Sequence, residues 1–314
     1  MAKNYNFNKP LKWVLIAYGA IILVGVIIAC IFGVKLNADF KGGTVITYDY
    51  IYGTEANIAD INADEVKAAV NEIFGAEATV SKGSAIATDS YTVTITMAKN
   101  EAVSTENQQK LTEKLQEMYP SNNVTLYNTQ SVNPTLAVKF FLKALTAVLV
   151  VAILVVIYVG YRFRKIGGVT AALTALVALV LDVIISFLAC VIFRLQIDTN
   201  YIIVILTILG YSLNDTIVVY DSVRENKKYN REMSLKDLVN KSLNDVIARN
   251  IVTTTTTVIA VITIIVVAEI FGLTSLRTFA IPMVFGLISG CISSIFIATP
   301  LWVVWRNKLD SKKK

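Results

Sequence analysis

The sequence predicts a polytopic α-helical membrane protein with six transmembrane helices and one small α+β domain between the first and the second. Three observations carry that prediction. Of the 314 residues, 55% are hydrophobic and only 17% charged, an apolar share above that of an ordinary soluble domain. Six stretches hold the roughly 20 apolar residues that a helix needs to cross about 30 Å of hydrocarbon: 13–34, 139–161, 166–193, 200–223, 250–271 and 278–305. Between the first two lies a single long hydrophilic insert, residues 35–138.

The first stretch, WVLIAYGAIILVGVIIACIFGV, is too long for the core of a signal peptide and has no small-residue cleavage site behind it. It reads as a retained span, so residues 1–34 comprise a short N-terminal segment and the first helix. The insert follows through DFKGGT (39–44), where Gly42 and Gly43 allow backbone angles that other residues avoid. With Asp39 they form a candidate junction between span and domain.

Within the insert, TVITYDYIY (44–52) is rich in β-branched and aromatic residues and reads as a strand. ADEVKAAVNEIF (63–74) sets Val66, Ala69, Val70, Ile73 and Phe74 on one helical face. ATVSK, the turn-rich SKGSAIATDS and the alternating YTVTITM make a hairpin. Residues 104–118 place Leu111, Leu115 and Met118 at helical spacing, and NNVTLYNTQSV closes as a last strand before Asn133-Pro134. The order β-α-β-β-α-β is that of a ferredoxin-like fold. The insert contains no histidine, no clustered nucleophile and base, and no phosphate-cradling glycine loop, so it reads as a binding or coupling module and not as an enzyme.

Residues 139–305 supply the other five spans, interrupted by a loop at 224–249, and 306–314 form a basic tail. The loop segment SLKDLVNKSLNDVIARN has Ser234 and Asp237 at capping-box spacing and lines Leu235, Leu238, Val239, Leu243, Val246 and Ile247 along one face, the pattern of an interfacial helix leading into the fifth span.

Charge then orients the chain. The N-terminal segment and the 162–165 turn are each net +3, the 224–249 loop is +3 and the tail +4, whereas the insert is −6. Cytoplasmic loops retain Lys and Arg, so both termini are expected in the cytoplasm and the insert outside a cytoplasmic (inner) cell membrane. The basic balance needs no nucleic acid to explain it, and Lys312, Lys313 and Lys314 read as a contact with anionic lipid. Cys30, Cys190 and Cys291 fall within spans, where they read as small buried apolar residues. Neither a disulfide framework nor metal-ligand spacing is present, and no cofactor is expected.

Ionisable groups inside spans are functional candidates by default. The stretch GYSLNDTIVVYDSVREN (210–226) places Asn214 and Asp215 in the fourth span. Asp215 precedes Arg224 by nine residues, about 13 Å of helix, and cannot easily reach water. Desolvation opposes its charge and a guanidinium favours it; such opposed influences make a proton switch. Arg249, entering the fifth span from the same side, is the expected partner. Tyr211, Ser212 and Thr216 surround the acid with hydroxyls, a plausible wet path. The run Thr253 to Thr257 reads mostly as threonines bonded to their own helix, with two of the five facing Asp215. Asp182, in the third span, is a weaker candidate because no polar residue neighbours it in sequence. Gly286 and Gly290 form a GxxxG in the sixth span, a helix-contact motif.

GYSLNDTIVVYDSVREN, DFKGGT after the first span, and SLNDVIARNIVTTTTT leading into the fifth together resemble the SecF family of the bacterial Sec protein-export machinery. Support covers nearly the whole chain. The resemblance implies a member of the resistance-nodulation-division superfamily that pairs with SecD as a twelve-span unit beside the SecYEG translocon and its accessory membrane proteins, uses the proton gradient, and acts on exported polypeptide in late steps of export. It also implies that the acid and arginine implicated in proton coupling fall on Asp215 and Arg249. The family often has a His before the third-span acid, whereas this chain has Leu181 and no His anywhere, so a histidine relay is excluded. Lys41 stands where the family usually has a smaller polar residue. The competing readings are half of a proton-coupled exporter of lipids or small molecules, or a scaffold that transduces nothing.

Overall fold

The fold was analysed in a computed structural model that describes residues 6–7, 10–37, 40, 42–52, 58, 60–85, 90–97, 104–132, 134–271 and 273–311. Asp39 and Lys41 of the expected junction, and the tail lysines 312–314, lie outside them. Gly42 and Gly43 lie within, with φ of 74° and 123°, the left-handed region that the glycine pair was expected to supply.

Helix α1 (Leu11–Phe32) is followed by the α+β domain: β1 (Gly43–Ile51), α2 (Ala63–Phe74), β2 (Ala78–Ala85), β3 (Ser90–Met97), α3 (Thr105–Met118) and β4 (Thr125–Val132). The strands form one antiparallel sheet in the order β2-β3-β1-β4, the arrangement of a ferredoxin-like fold. Period-two patterning sends Ile46, Tyr48 and Tyr50 of β1 and Val93, Ile95 and Met97 of β3 into the core. The two helices cover that face with Val66, Ala69, Val70, Phe74, Leu111 and Leu115. Local chemistry sets the helix ends. The Asn62 side chain accepts the Asp64 N–H at 3.0 Å, Gly75 ends α2 in the left-handed region, and Ser104 accepts the Asn107 N–H at 3.2 Å.

The remaining spans are α4 (Pro134–Arg162), α5 (Gly168–Ile192), α6 (Asn200–Tyr229), α7 (Leu235–Ile270) and α8 (Thr274–Ser293), the last continuing through a π-helical turn (Ser294–Ala298) into α9 (Thr299–Ser311). Together with α1 they supply six helical stretches long and apolar enough to cross a membrane. The chain is a multi-pass membrane protein. The segment expected to be an interfacial helix leading into the fifth span is helical and runs into that span without a break, as the beginning of α7, a continuous helix of 36 residues. Ser234 caps it, accepting the Asp237 N–H at 3.2 Å, and Leu238, Val239 and Leu243 bury against the bundle.

The sixth span is the axis of the bundle: α8 packs on α5, α6 and α7, while α1 and α4 lie outside with most of their apolar side chains exposed. At one end, the linker behind α1 pairs with the α5–α6 turn. The Ile197 N–H donates to Lys35 O at 2.9 Å, the Asn37 N–H to Ile197 O at 3.0 Å, and Arg194 to Phe32 O at 2.7 Å. Asp198 in this turn accepts from the Asn200 backbone at 2.9 Å and from Thr278 Oγ1 at 3.2 Å; its burial holds the carboxyl above the usual range despite those donors. At the other end, the turn after α4 meets the end of α6 through Arg162, which donates to Asp221 Oδ2 at 3.0 Å.

Candidate functional site

Polar residues on α5 recur every fourth position, at Thr170, Thr174, Asp182 and Ser186, with Ala178 between, and all are buried. Spacing of four residues, close to one helical turn, sets each of these side chains beside the next along the helix. Thr170 meets Trp302 Nε1 at 3.2 Å and Thr174 meets the Tyr220 hydroxyl at 3.1 Å.

Asp182 is the centre of this row. Its side chain is fully buried and accepts three hydroxyl hydrogen bonds: from Ser289 Oγ to Oδ1 at 2.6 Å, and from Ser212 Oγ at 2.7 Å and Ser293 Oγ at 2.9 Å to Oδ2. The donors come from α6 and α8, so the polar surroundings missing from the local sequence are supplied by packing. Tyr18 of α1 extends the cluster, its hydroxyl 3.0 Å from Ser289 Oγ.

The glycines make this arrangement possible. A Cβ on Gly290 would lie 2.8 Å from Ser212 Cβ, and one on Gly286 would lie 2.1 Å from Ile208 Cδ1. Without side chains, α8 approaches α6 closely enough for Ser212 to reach Asp182. Ser289 and Ser293 flank the glycines on the same turns of α8.

Asp215 follows Ser212 by three residues and is 1% exposed. Its Oδ2 accepts from Thr254 Oγ1 at 3.2 Å, and its backbone carbonyl accepts from Asn250 Nδ2 at 3.4 Å. These partners on α7 correct the expected pairing. Arg249 is exposed, and among the described residues no ion pair joins it to Asp215. The reason is helical phase. Positions 250 and 254 are four apart and share the face that meets α6, whereas 249 is turned about 100° away. The same phase corrects Asn214, which is exposed and directed out of the bundle while its neighbours Asp215 and Thr216 face inward. Of the threonine run, one residue and not two meets Asp215: Thr253 and Thr257 bond Tyr211 instead, through the Thr253 carbonyl at 2.8 Å and the Thr257 hydroxyl.

Sequence reading missed Ser289, Ser293 and Asn250, and set Ser212 beside Asp215 and not Asp182. The signal was present for the serines, since Ser289 and Ser293 lie beside the glycines at helical spacing. Thr216 also reaches the π-helical turn, its hydroxyl 3.0 Å from Ser294 Oγ. π turns often occur at functional sites. Chemically, a carboxyl surrounded by hydroxyls has partners in either protonation state. Each Ser or Thr hydroxyl can donate to the carboxylate or rotate to accept from the acid.

The chain matches the family model described as protein export membrane protein SecD/SecF, C-terminal, over residues 110–308. It is 32% identical to the protein translocase subunit SecF of Alicyclobacillus acidocaldarius, over 99% of this chain and 96% of the relative. It is also 30% identical to the protein translocase subunit SecDF of Bacillus subtilis, over 98% of this chain but 39% of the relative. Among solved structures it resembles SecDF, a translocon-associated membrane protein from Thermus thermophilus, with a TM-score of 0.77 at 26% identity, covering 97% of this chain and 39% of that one. It thus spans about two fifths of the SecDF polypeptides and nearly the whole of the SecF relative. The fold, the six spans and these matches agree: the chain belongs to the SecD/SecF family of protein export membrane proteins.

Proposed function

We propose that this chain is the SecF-type subunit of a proton-driven accessory unit of the Sec translocon, paired with SecD and promoting late steps of protein export. It performs no covalent chemistry and needs no cofactor; the proton gradient supplies the energy. The observation that carries this reading is the pair of buried carboxyls, Asp182 and Asp215, held by hydroxyls from other helices inside an apolar bundle. Groups of that kind in lipid mark ion paths.

In the arrangement described above, Asp215 bonds α7 through Thr254. A proton arriving at Asp215 changes the hydrogen bonds that tie α6 to α7 and biases the bundle toward a second arrangement of those two helices. Asp182 and its serines sit between α5, α6 and α8 and give the proton a second station. One charge crossing 100 mV yields about 2.3 kcal/mol, a bias of about fiftyfold. The bundle transmits that bias to the α+β domain through the linker paired with the α5–α6 turn.

Orientation follows from charge. The basic turn after α4 and the end of α6 share one face of the bundle and face the cytoplasm, leaving the α+β domain outside. Asn214 and Arg249, both turned out of the bundle, call for a polar surface at membrane depth, which we assign to SecD; the fused SecDF relatives support that pairing. SecYEG and the exported polypeptide complete the assembly.

The test is gradient-dependent export into inverted membrane vesicles. Asp215→Asn is expected to abolish the gradient's stimulation while the subunit still co-purifies with SecD, and Asp182→Asn to reduce it strongly. Unimpaired export by Asp215→Asn with SecD still bound would leave a passive scaffold as the surviving reading.

A further inference from the structure

The end of the bundle that carries the Arg162–Asp221 ion pair also carries a cavity of about 730 Å³. One wall is the end of α4 and the turn after it, with Arg162, Arg164 and Lys165; the other is the end of α6 and the turn after it, with Arg224, Lys227, Lys228 and Arg231. Ile166 and the exposed Tyr161 complete the lining. Seven cations thus converge on one space, with Asp221 beside them as the carboxylate that pairs two of them.

Asp221 has a fixed task. It accepts from Arg162 at 3.0 Å and pairs with Arg224 at 2.9 Å, holding two guanidinium groups in place as parts of the wall. Arg164 stacks on Tyr161, 5.2 Å from the ring centroid. The other cations of the cavity form no ion pair among the described residues. Like charges gathered around one space repel unless an anion enters it.

Position selects the anion. The cavity lies where α4 ends and α5 begins, beside the exposed aromatic side chains Tyr158 and Tyr161. Aromatic residues at the ends of spans sit at the headgroup level of a bilayer, where lipid phosphates lie. Guanidinium groups bind phosphate through paired N–H donors, and basic pockets between spans accept phosphorylated head groups. The space is far larger than one inorganic phosphate requires and falls in the range of sites for drug-sized ligands.

We propose that this cavity is a binding site for an anionic phospholipid whose head group carries two phosphates, one facing the α4–α5 turn and one facing the end of α6. The bound lipid bridges the two walls and ties α6, which carries Asp215, to the turn before α5, which carries Asp182.

The full chain, purified into nanodiscs of phosphatidylcholine doped with cardiolipin as the diphosphate-bearing probe, is assayed for lipid retained after extraction by native mass spectrometry. A variant carrying Arg164→Gln, Lys165→Gln and Arg231→Gln leaves the Asp221 pairs intact. A control carrying Lys12→Gln, Lys241→Gln and Lys308→Gln removes the same charge elsewhere. Cardiolipin enriched over phosphatidylcholine in the natural chain and the control, and bound about a hundredfold more weakly by the cavity variant, is the expected result. Equal loss in cavity variant and control reduces the effect to general surface potential and overturns the site. Equal retention in all three overturns it as well. Displacement of cardiolipin by an equal concentration of inorganic pyrophosphate overturns the lipid assignment in favour of a soluble phosphate ligand.

Discussion

In the α+β domain the carboxylates stand at the surface beside lysines: Asp64 with Lys67, Asp60 with Lys82, Glu106 with Lys110 and Glu72 with Lys114. In the bundle, Asp182 and Asp215 stand in the interior beside hydroxyls. The difference teaches what each solvent permits. Water hydrates both members of an exposed pair, so the pair adds little and is replaceable. A buried charge must be neutralised or hydrogen-bonded, and lone hydroxyls give it partners without fixing its protonation state. The domain's ionic contacts are consequences of a surface, whereas the buried hydrogen bonds of the bundle constrain how the helices pack.

By that contrast, the largest effect is expected from Asp215→Asn, with loss of gradient-stimulated export. Double replacement Ser289→Ala, Ser293→Ala is expected to impair export nearly as far as Asp182→Asn, because it strips two of the three donors from that carboxyl; the same vesicle assay reads both.

Packing sharpens the comparison next. Ile95→Ala in the domain core removes buried methyl groups and is expected to cost about 2–5 kcal/mol, measured by the urea midpoint for loss of protease resistance in the domain. Ile153→Ala on the exposed face of α4 is expected to change nothing in that assay, because lipid solvates the site in either form.

A third, smaller effect comes from the two glycines. Gly290→Ala drives a methyl group against Ser212 Cβ and is expected to cost about 1–3 kcal/mol, lowering the melting temperature in detergent. Gly286→Ala is expected to cost a similar amount, since its methyl group meets both Cδ1 and Cγ1 of the fully buried Ile208.

The smallest effect belongs to the surface. Burial raises the Asp60 carboxyl, but the Lys82 ammonium and the Tyr50 hydroxyl, which donate at 2.8 Å each, overcome it and hold the carboxyl below its usual range. A folded-state value below the unfolded one stabilises above about pH 4, where the unfolded chain is already ionised, and that stability is lost as pH falls through the folded value. Asp60→Asn is therefore expected to flatten the domain's acid sensitivity slightly, read by protease resistance between about pH 5 and 3.

Much of this was legible in the residues. Apolar run lengths located all six spans, and period-two and period-3.6 patterns gave the domain's strands and helices in order, because those signals are local. The exposed Asn214 and Arg249 were not legible, nor was the serine cage of Asp182. Asn214 and Asp215 are adjacent in sequence yet point about 100° apart, and only the packing of α6 says which of them is inside. The hydroxyls that donate to Asp182 come from other helices, and they lie 30, 107 and 111 residues away in the chain.

By itself, then, the sequence determined the membrane class and the element order, since each depends on the composition and period of a contiguous segment. The tertiary structure alone decided which groups each acid meets. That depends on the phase of one helix against another and on how closely Gly286 and Gly290 let them approach, and neither is written in any single segment.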